Sequence, residues 1–522
     1  MFWKFARGPP RGAASRSSTR AHLHPHLGSP RDQSENMGGC LDAPSAIPRL
    51  SALVGASLVG DSALYVVLPV VFRARGLSPM QVGVILSANR WTRLFTNAPA
   101  ARLLGISPVR IVFASALLVG GLCSFLYCSK SLVVLVVARC IWGGCWSILR
   151  LTGMLTVTDC IEAEMASESD VGRLTGLFGG LIRLGSAFGM AAGGVVSDRL
   201  SFEGFFTFAG LLTASASPFA LACTFGMLPR ISVTASSKLA QKPSPPSSRA
   251  QGPCRCRMAH CHRNPCQLTR VQLQLLALAF SASCAGDGMI VSTLGMVLAS
   301  YSNTDASTGE RILQLGAGMQ IGTATLNGVL LGSRWALEGF GAPLIGRMVD
   351  RVGWTTVAPT VFGLSCLNGA VGFALLQTAE MAGSEASGLL LAAILCSILL
   401  FFALAATADL CVKAMGVSWR ETTLLVQGND LGAAMGPVLG YALIQVGLPP
   451  SAVLAAQSAI HGGAALVALS AARLHARVAT RPQGGTAEVE RAVGLSPQRL
   501  RHVALNEVEE ELEPEADARE GL

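Results

Sequence analysis

Two carboxylates stand out because of what surrounds them. Asp61 sits in SLVGDSALYVVLP and is the only acidic residue between positions 51 and 158. Asp287 sits in SCAGDGMIV, flanked by Gly286 and Gly288, where a helix break is expected. On insertion scales a charged side chain at the centre of a bilayer costs about 2.5–3.5 kcal/mol. A carboxyl group kept there is therefore expected to carry a proton or cation, to contact a substrate, or to pair with a cation. Arg139, in a third apolar stretch, reads either as a cavity cation that pairs with Asp61 or substrate, or as a side chain reaching back to the interface. Asp61 correspondingly reads as a transport site or as Arg139's structural partner, and Asp287 has the same two readings. Arg90, Arg93, Arg183, Arg334, Glu338 and Asp430 also lie within apolar runs.

Other chemistries find no support. The basic residues comprise 35 Arg and only five Lys, namely Lys4, Lys130, Lys238, Lys242 and Lys413. None of these lysines completes a GxxxxGK[ST] phosphate loop, so an ATPase on this chain is not expected. No serine elbow, HExxH pair or paired-carboxylate arrangement points to an enzyme. Cys254, Cys256, His260, Cys261, His262 and Cys266 are zinc-ligand types, but their spacing fits no standard finger and arginines surround them. No metal, cofactor or nucleic-acid partner is expected.

The elements that must position these residues follow from composition. Of 522 residues 51% are hydrophobic and only 14% charged, with a mean hydropathy of +0.49. Soluble chains carry about 25% charged residues, so the charge is too sparse for a soluble surface of this size. Apolar runs recur near 48–72, 79–101, 108–127, 131–157, 171–196 and 204–227, then 271–299, 317–345, 355–377, 387–412, 421–447 and 450–472. Each has the length of a spanning helix. In hydrocarbon only helices or closed barrels satisfy the backbone, and these runs are too uniformly apolar for barrel strands.

The fold expected is an all-α membrane protein with twelve transmembrane helices in two six-helix bundles, 47–227 and 271–472. Between them lies a linker, 228–270, that carries eight Arg/Lys and no acid. Positive loops stay cytoplasmic, which places this linker and both tails inside. Residues 1–46 read as a basic disordered tail or a transit peptide, and 473–522 as a charged, solvated tail.

The halves repeat one another. Gly60-Asp61 matches Gly286-Asp287, and Arg90-Trp91 matches Arg334-Trp335. Asp159 matches Asp409, and the series Gly185, Gly189, Gly193 matches Gly432, Gly436, Gly440. Small residues four apart make a flat helix face for close packing. Pro437 follows Gly436, whereas Met190 takes the corresponding place after Gly189. The stretch Gly346-Arg-Met-Val-Asp350-Arg351-Val-Gly353 fits GxxxDRxG between the eighth and ninth runs, and Arg139-Cys-Ile-Trp-Gly143 fits RxxxG in the fourth.

Taken together these motifs resemble the major facilitator superfamily over roughly residues 47–472. The resemblance implies two bundles around a central cavity that work by alternating access. It departs at Asn97-Ala-Pro-Ala-Ala-Arg102-Leu-Leu-Gly105, the first-half copy of the loop motif, which lacks the Asp. It further implies that helices two and eleven, and five and eight, face each other. Arg93 with Asp430, and Arg183 with Glu338, then fall at matching depths as two interdomain latches, expected to be formed when the transporter opens outward.

The function expected is secondary active transport of small organic solutes, and the sparse, Arg-rich and Lys-poor charge of the interior suits neutral, weakly acidic or amphipathic molecules. Coupling to protons, a monomeric state and a lipid-bilayer setting are part of this expectation. The rival is a transport-inactive receptor or assembly scaffold on the same fold.

Overall fold

Each of the twelve apolar runs overlaps a helix in the computed structural model, which describes residues 43–162, 168–199, 201–223, 269–304, 311–314, 320–382, 388–415 and 419–480. The first half contains α1 (Ala43–Val71), α2 (Pro79–Ile106), α3 (Val109–Leu126), α4 (Leu132–Glu162), α5 (Glu168–Arg199) and α6 (Phe202–Cys223). The second begins with α7 (Arg270–Ala282), a π-helical segment (Ser283–Ile290) and α8 (Val291–Ser300), stacked as one crossing. It continues with α9 (Thr323–Val352), α10 (Trp354–Ala382), α11 (Gly388–Met415), α12 (Trp419–Gln445) and α13 (Ala452–Thr480). The Cys254–Cys266 cluster, residues 1–42 and residues 481–522 lie outside the described residues; α1 and α13 take in residues 43–46 and 473–480, the inner edges of the two expected tails.

Nine segments are long and apolar enough to cross a bilayer among the described residues; α2, α9 and α12 fall below that mark. The reason is their charge. Arg90, Arg93 and Arg102 lie on α2, Arg334, Glu338, Arg347 and Arg351 on α9, and Asp430 on α12. These are the helices that meet across the seam between halves: α2 packs on α12 and α9 packs on α5. A seam helix is screened from lipid by its partner and tolerates charges that a lipid-facing helix does not.

The helix ends follow their sequences. Ser78 with Gln81 and Thr269 with Gln272 form capping boxes at the starts of α2 and α7, which satisfy backbone N–H groups that the helix itself leaves free. Gly353 ends α9 at φ +89°, a left-handed conformation that side chains with a Cβ disfavour. Here the expectation is corrected. Gly346–Val352 form the last turns of α9 rather than a loop, and only Gly353 breaks the helix before α10.

A second correction concerns residues 301–322, where α9 starts at Thr323, later than expected. The connection holds a three-stranded antiparallel sheet of Asn303–Thr304, Arg311–Gln314 and Gln320–Gly322, paired through Ile312 with both Asn303 and Gly322. Outside the bilayer thickness, inter-strand pairing satisfies the backbone as well as a helix does.

The repeat read from the sequence is a repeat of packing. Gly185, Gly189 and Gly193 lay α5 against Gly55, Val59 and Ala63 of α1. Gly432, Gly436 and Gly440 lay α12 against α7, the π segment and α8 in the same manner. A Cβ on Gly288 would stand only 2.7 Å from the Cα of Gly436, so the two backbones touch.

The helices define two faces. The start of α1 and the ends of α6 and α13 share the termini face, and the α1–α2 and α8–α9 connections share the opposite, far face. On the far face Arg75 ties three connections together. It donates to Glu203 (3.0 Å) and to the carbonyls of Cys128 (2.9 Å) and Ser129 (2.6 Å), and stacks 4.1 Å over Phe202.

Candidate functional site

The charges within the helices gather at mid-depth into three groups. The first lies inside the opening half. Asp61 of α1 forms an ion pair with Arg139 of α4, whose side chain is wholly buried. Every guanidinium nitrogen of Arg139 has an acceptor. Nε donates to the Ile85 carbonyl (3.2 Å), Nη2 to Tyr65 Oη (3.0 Å), and Nη1 reaches Tyr127 Oη (3.5 Å) as well as Asp61. Tyr65 Oη in turn donates to the Leu86 carbonyl (3.0 Å). This arrangement is closed on itself.

The second group sits at the seam. Asp287, on the π segment, forms an ion pair with Arg334 of α9. π-Helical turns inside α-helices recur at functional sites, and the Gly286-Asp287-Gly288 triplet lets the chain form one here while α12 approaches. Arg334 is 1% exposed, yet only its Nη2 is engaged; Nε and Nη1 have no acceptor among the described residues. The indole N–H of Trp335, whose ring lies 5.0 Å from the guanidinium, is likewise unpartnered. Asp287 keeps 12% of its side chain accessible.

The third group bridges the halves. Arg93 Nη2 lies 2.6 Å from Asp430 Oδ1, with Arg90 3.8 Å from the same oxygen. Arg183 of α5 pairs with Glu338 of α9, and Lys413 of α11 lies 3.6 Å from Glu338 while also pairing with Asp409. Asn429 donates to Asp409 (3.1 Å) and accepts from Ser283 at the start of the π segment (2.8 Å). A continuous polar path thus runs from α5 to the segment that holds Asp287.

The structure brings both expected pairs, Arg93–Asp430 and Arg183–Glu338, into contact. Their setting differs from the expectation. Arg93 is residue 15 of the 28 in α2 and Glu338 residue 16 of the 30 in α9, so the contacts fall at mid-depth. They also coexist with a sealed far face. There Asp198 of α5 accepts from the Thr325 N–H (2.6 Å), Asn327 donates to the Val66 carbonyl (2.9 Å), and Met80 N–H meets Gln445 (3.5 Å). Gly194 and Gly328 bring α5 and α9 together at backbone distance, and a Cβ on Gly83 would meet the Pro437 carbonyl at 3.0 Å. At mid-depth the approach is looser, and a Cβ on Gly339 would stand 3.8 Å from the Gly180 carbonyl. The pairs are therefore formed with the far face closed, not with it open.

The remaining expected residues lie away from this layer. Gly346 is buried in the final turns of α9, Arg351 is exposed at its end, and the side chain of Asp350 is outside the described set. A void of about 20 Å³, room for a single water, lies within the second half between Thr293, Asn368, Ser397 and Gln457. It is too small for a solute and belongs to packing.

Sequence reasoning missed Lys413, Asn429, Ser283 and Tyr65 as members of the charged layer. One signal was available: Asp409 and Lys413 are an i, i+4 pair inside an otherwise apolar run. The cross-seam cap by Asp198 had none, because it joins residues 127 positions apart.

Two helical bundles that meet along α2–α12 and α5–α9, with ion-paired charges at mid-depth in the seam, define a two-bundle membrane-protein architecture. Residues 50–437 match the Major Facilitator Superfamily, and the chain belongs to that family. Among solved structures it is similar to the nucleoside transporter NupG, at 12% identity and TM-score 0.56 over 83% of this chain and 99% of that one. It is also similar to a D-xylose-proton symporter, at 13% identity and TM-score 0.58 over 81% and 97% of the two chains. No match is found among curated proteins. The protein is an integral multi-pass membrane transporter and not an enzyme.

Proposed function

We propose that the protein is a proton-coupled secondary transporter of a small organic solute, working as a monomer in a lipid bilayer. With the basic linker on the cytoplasmic side, the arrangement described is the inward-facing one. The observation that carries the reading is the Asp287–Arg334 pair: a titratable carboxylate on a π-helical segment, partly accessible, placed where the two halves meet. Protonating Asp287 removes its charge and releases Arg334, which changes the electrostatics of the seam at the point where the halves must move. Asp61, accessible to a similar extent, is the other candidate carrier, but its partner Arg139 is held in place by two tyrosine hydroxyls and a backbone carbonyl. The symporter named among the similar structures is compatible with proton coupling.

The test is uptake into proteoliposomes containing a pH-sensitive dye, with solutes presented under an imposed proton gradient. Solute-dependent proton entry supports the proposal. Solute flux without proton movement removes the coupling, and no flux of any solute across a broad panel returns the transport-inactive scaffold as the better reading.

A further inference from the structure

Arg334 poses a specific problem. A buried guanidinium offers five N–H donors, and a buried donor left without an acceptor carries the cost of its desolvation uncompensated. Arg139, equally buried, has acceptors on all three nitrogens. Arg334 engages one nitrogen with Asp287 and leaves Nε and Nη1 without acceptors, and Trp335 adds a third idle donor beside it. The Trp335 ring covers one side of the guanidinium at 5.0 Å, which leaves its in-plane N–H groups free.

The surrounding charge points the same way. Among the described residues the ion-paired side chains of the seam are five cations, Arg90, Arg93, Arg183, Arg334 and Lys413, against four carboxylates, Asp287, Glu338, Asp409 and Asp430. The layer is one positive charge in excess. Asp430 has one free oxygen, but it is held against two arginines and its charge is already compensated.

Resting on the transporter reading above, we infer that the solute is an organic anion whose carboxylate, or a planar oxyanion like it, docks on the idle N–H groups of Arg334 and on the Trp335 indole. Such an anion supplies the missing acceptors and cancels the excess charge in one step. A neutral sugar or nucleoside would satisfy some donors but leave the excess charge uncompensated. The inference narrows the expected neutral, weakly acidic or amphipathic solutes to the acidic ones.

The experiment measures binding to the purified full chain by thermal shift and by titration, independently of flux. Benzoate, 2-oxoglutarate and p-aminohippurate serve as carboxylate probes, with uridine and D-xylose as neutral ones. At least one carboxylate is expected to raise the melting midpoint saturably. Arg334→Lys, which keeps the charge but loses the planar fork, and Trp335→Phe, which removes only the N–H, are each expected to weaken that binding about tenfold while melting normally without ligand. Stabilisation by uridine or D-xylose and by no carboxylate, no stabilisation by any probe, or unchanged affinity in a well-folded Trp335→Phe and Arg334→Lys would each overturn the inference. Carboxylate binding without counterflow in proteoliposomes would instead sink the transport reading and leave the anion site standing.

Discussion

Asp61–Arg139 and Asp287–Arg334 are the same pair of residue types, both at mid-depth and both almost fully buried, yet their surroundings differ in kind. Arg139 is held by backbone carbonyls and tyrosine hydroxyls from three helices of one bundle. Arg334 has a single partner, which sits on a helical segment wound differently from its neighbours, at the seam between bundles. A saturated buried charge fixes a structure, because every alternative leaves something unpaired. An unsaturated one can change partner. Comparable burial therefore says little about role; the count of idle donors says more.

The comparison ranks the consequences of mutation. Arg139→Gln leaves Asp61 buried without its cation, and breaking such a pair from one side costs about 3–5 kcal/mol. The loss of thermal stability should be large, and adding Asp61→Asn should recover part of it. Arg334→Gln should lose less than half as much, since Arg334 engages Asp287 alone whereas Arg139 also holds a carbonyl and two hydroxyls. Equal losses in melting experiments would erase the distinction between the pairs.

The two glycine contacts give the next test. Gly189 packs on Val59 within the first bundle, and Gly288 packs on Gly436 at the π segment. A methyl group added at either place overpacks a backbone contact, at about 1–3 kcal/mol. Gly189→Ala should lower stability and leave proton coupling intact. Gly288→Ala should lower stability and also uncouple, because it displaces the segment that holds Asp287. Uptake and melting measured on the same preparations separate the two, and coupling lost in both variants would remove any special role for the π segment.

Asp287→Asn should then reduce pH-driven accumulation at least about tenfold, equivalent to 1.4 kcal/mol, while solute counterflow persists. Asp61→Asn should accumulate solute nearly as the parent does. The opposite pattern would return the coupling role to Asp61, where the sequence alone puts the greater weight.

That difference in weight shows what the sequence could and could not carry. Helix number, the duplicated glycine faces and the seam charges were legible because hydropathy, four-residue spacing and isolated charges are local signals. Asp61 drew attention as a lone acid, a property of composition. The features that separate it from Asp287 are the carbonyls of Ile85 and Leu86 and the hydroxyls of Tyr65 and Tyr127, and no local pattern shows that these converge on Arg139. The matching depths of the latch residues were legible, but their place along the full helices was not. Helices α2 and α9 continue beyond their apolar runs, to Ile106 and Val352, so their midpoints lie further along the chain than hydropathy indicates.

The smallest effect concerns Asp430, which belongs to neither of the two Asp–Arg pairs but joins the bundles that contain them. Read from the sequence, Arg93–Asp430 holds the protein open towards the far face, so that Asp430→Asn would shift it towards opening on the termini face. In the structure the contact stands while Asp198, Asn327 and Gly194 seal the far face, and it therefore stabilises that closed arrangement. Its loss should act in the opposite direction and favour opening on the far face. The contribution is limited, since Arg93 and Arg183 lie in a layer with other charges that can re-pair. A change near 1 kcal/mol shifts a two-state ratio about fivefold. A single cysteine in place of Gly83, at the far-face end of α2, offers a site where a Cβ meets α12 in the closed state; because that substitution itself crowds the contact, a second reporter at exposed Phe95 is needed. Asp430→Asn should speed alkylation at position 83 a few-fold and leave position 95 unchanged or slower. Slower alkylation at 83 with faster alkylation at 95 would restore the direction read from the sequence, and no change at either would leave Arg93–Asp430 as a packing contact with no part in the conformational equilibrium.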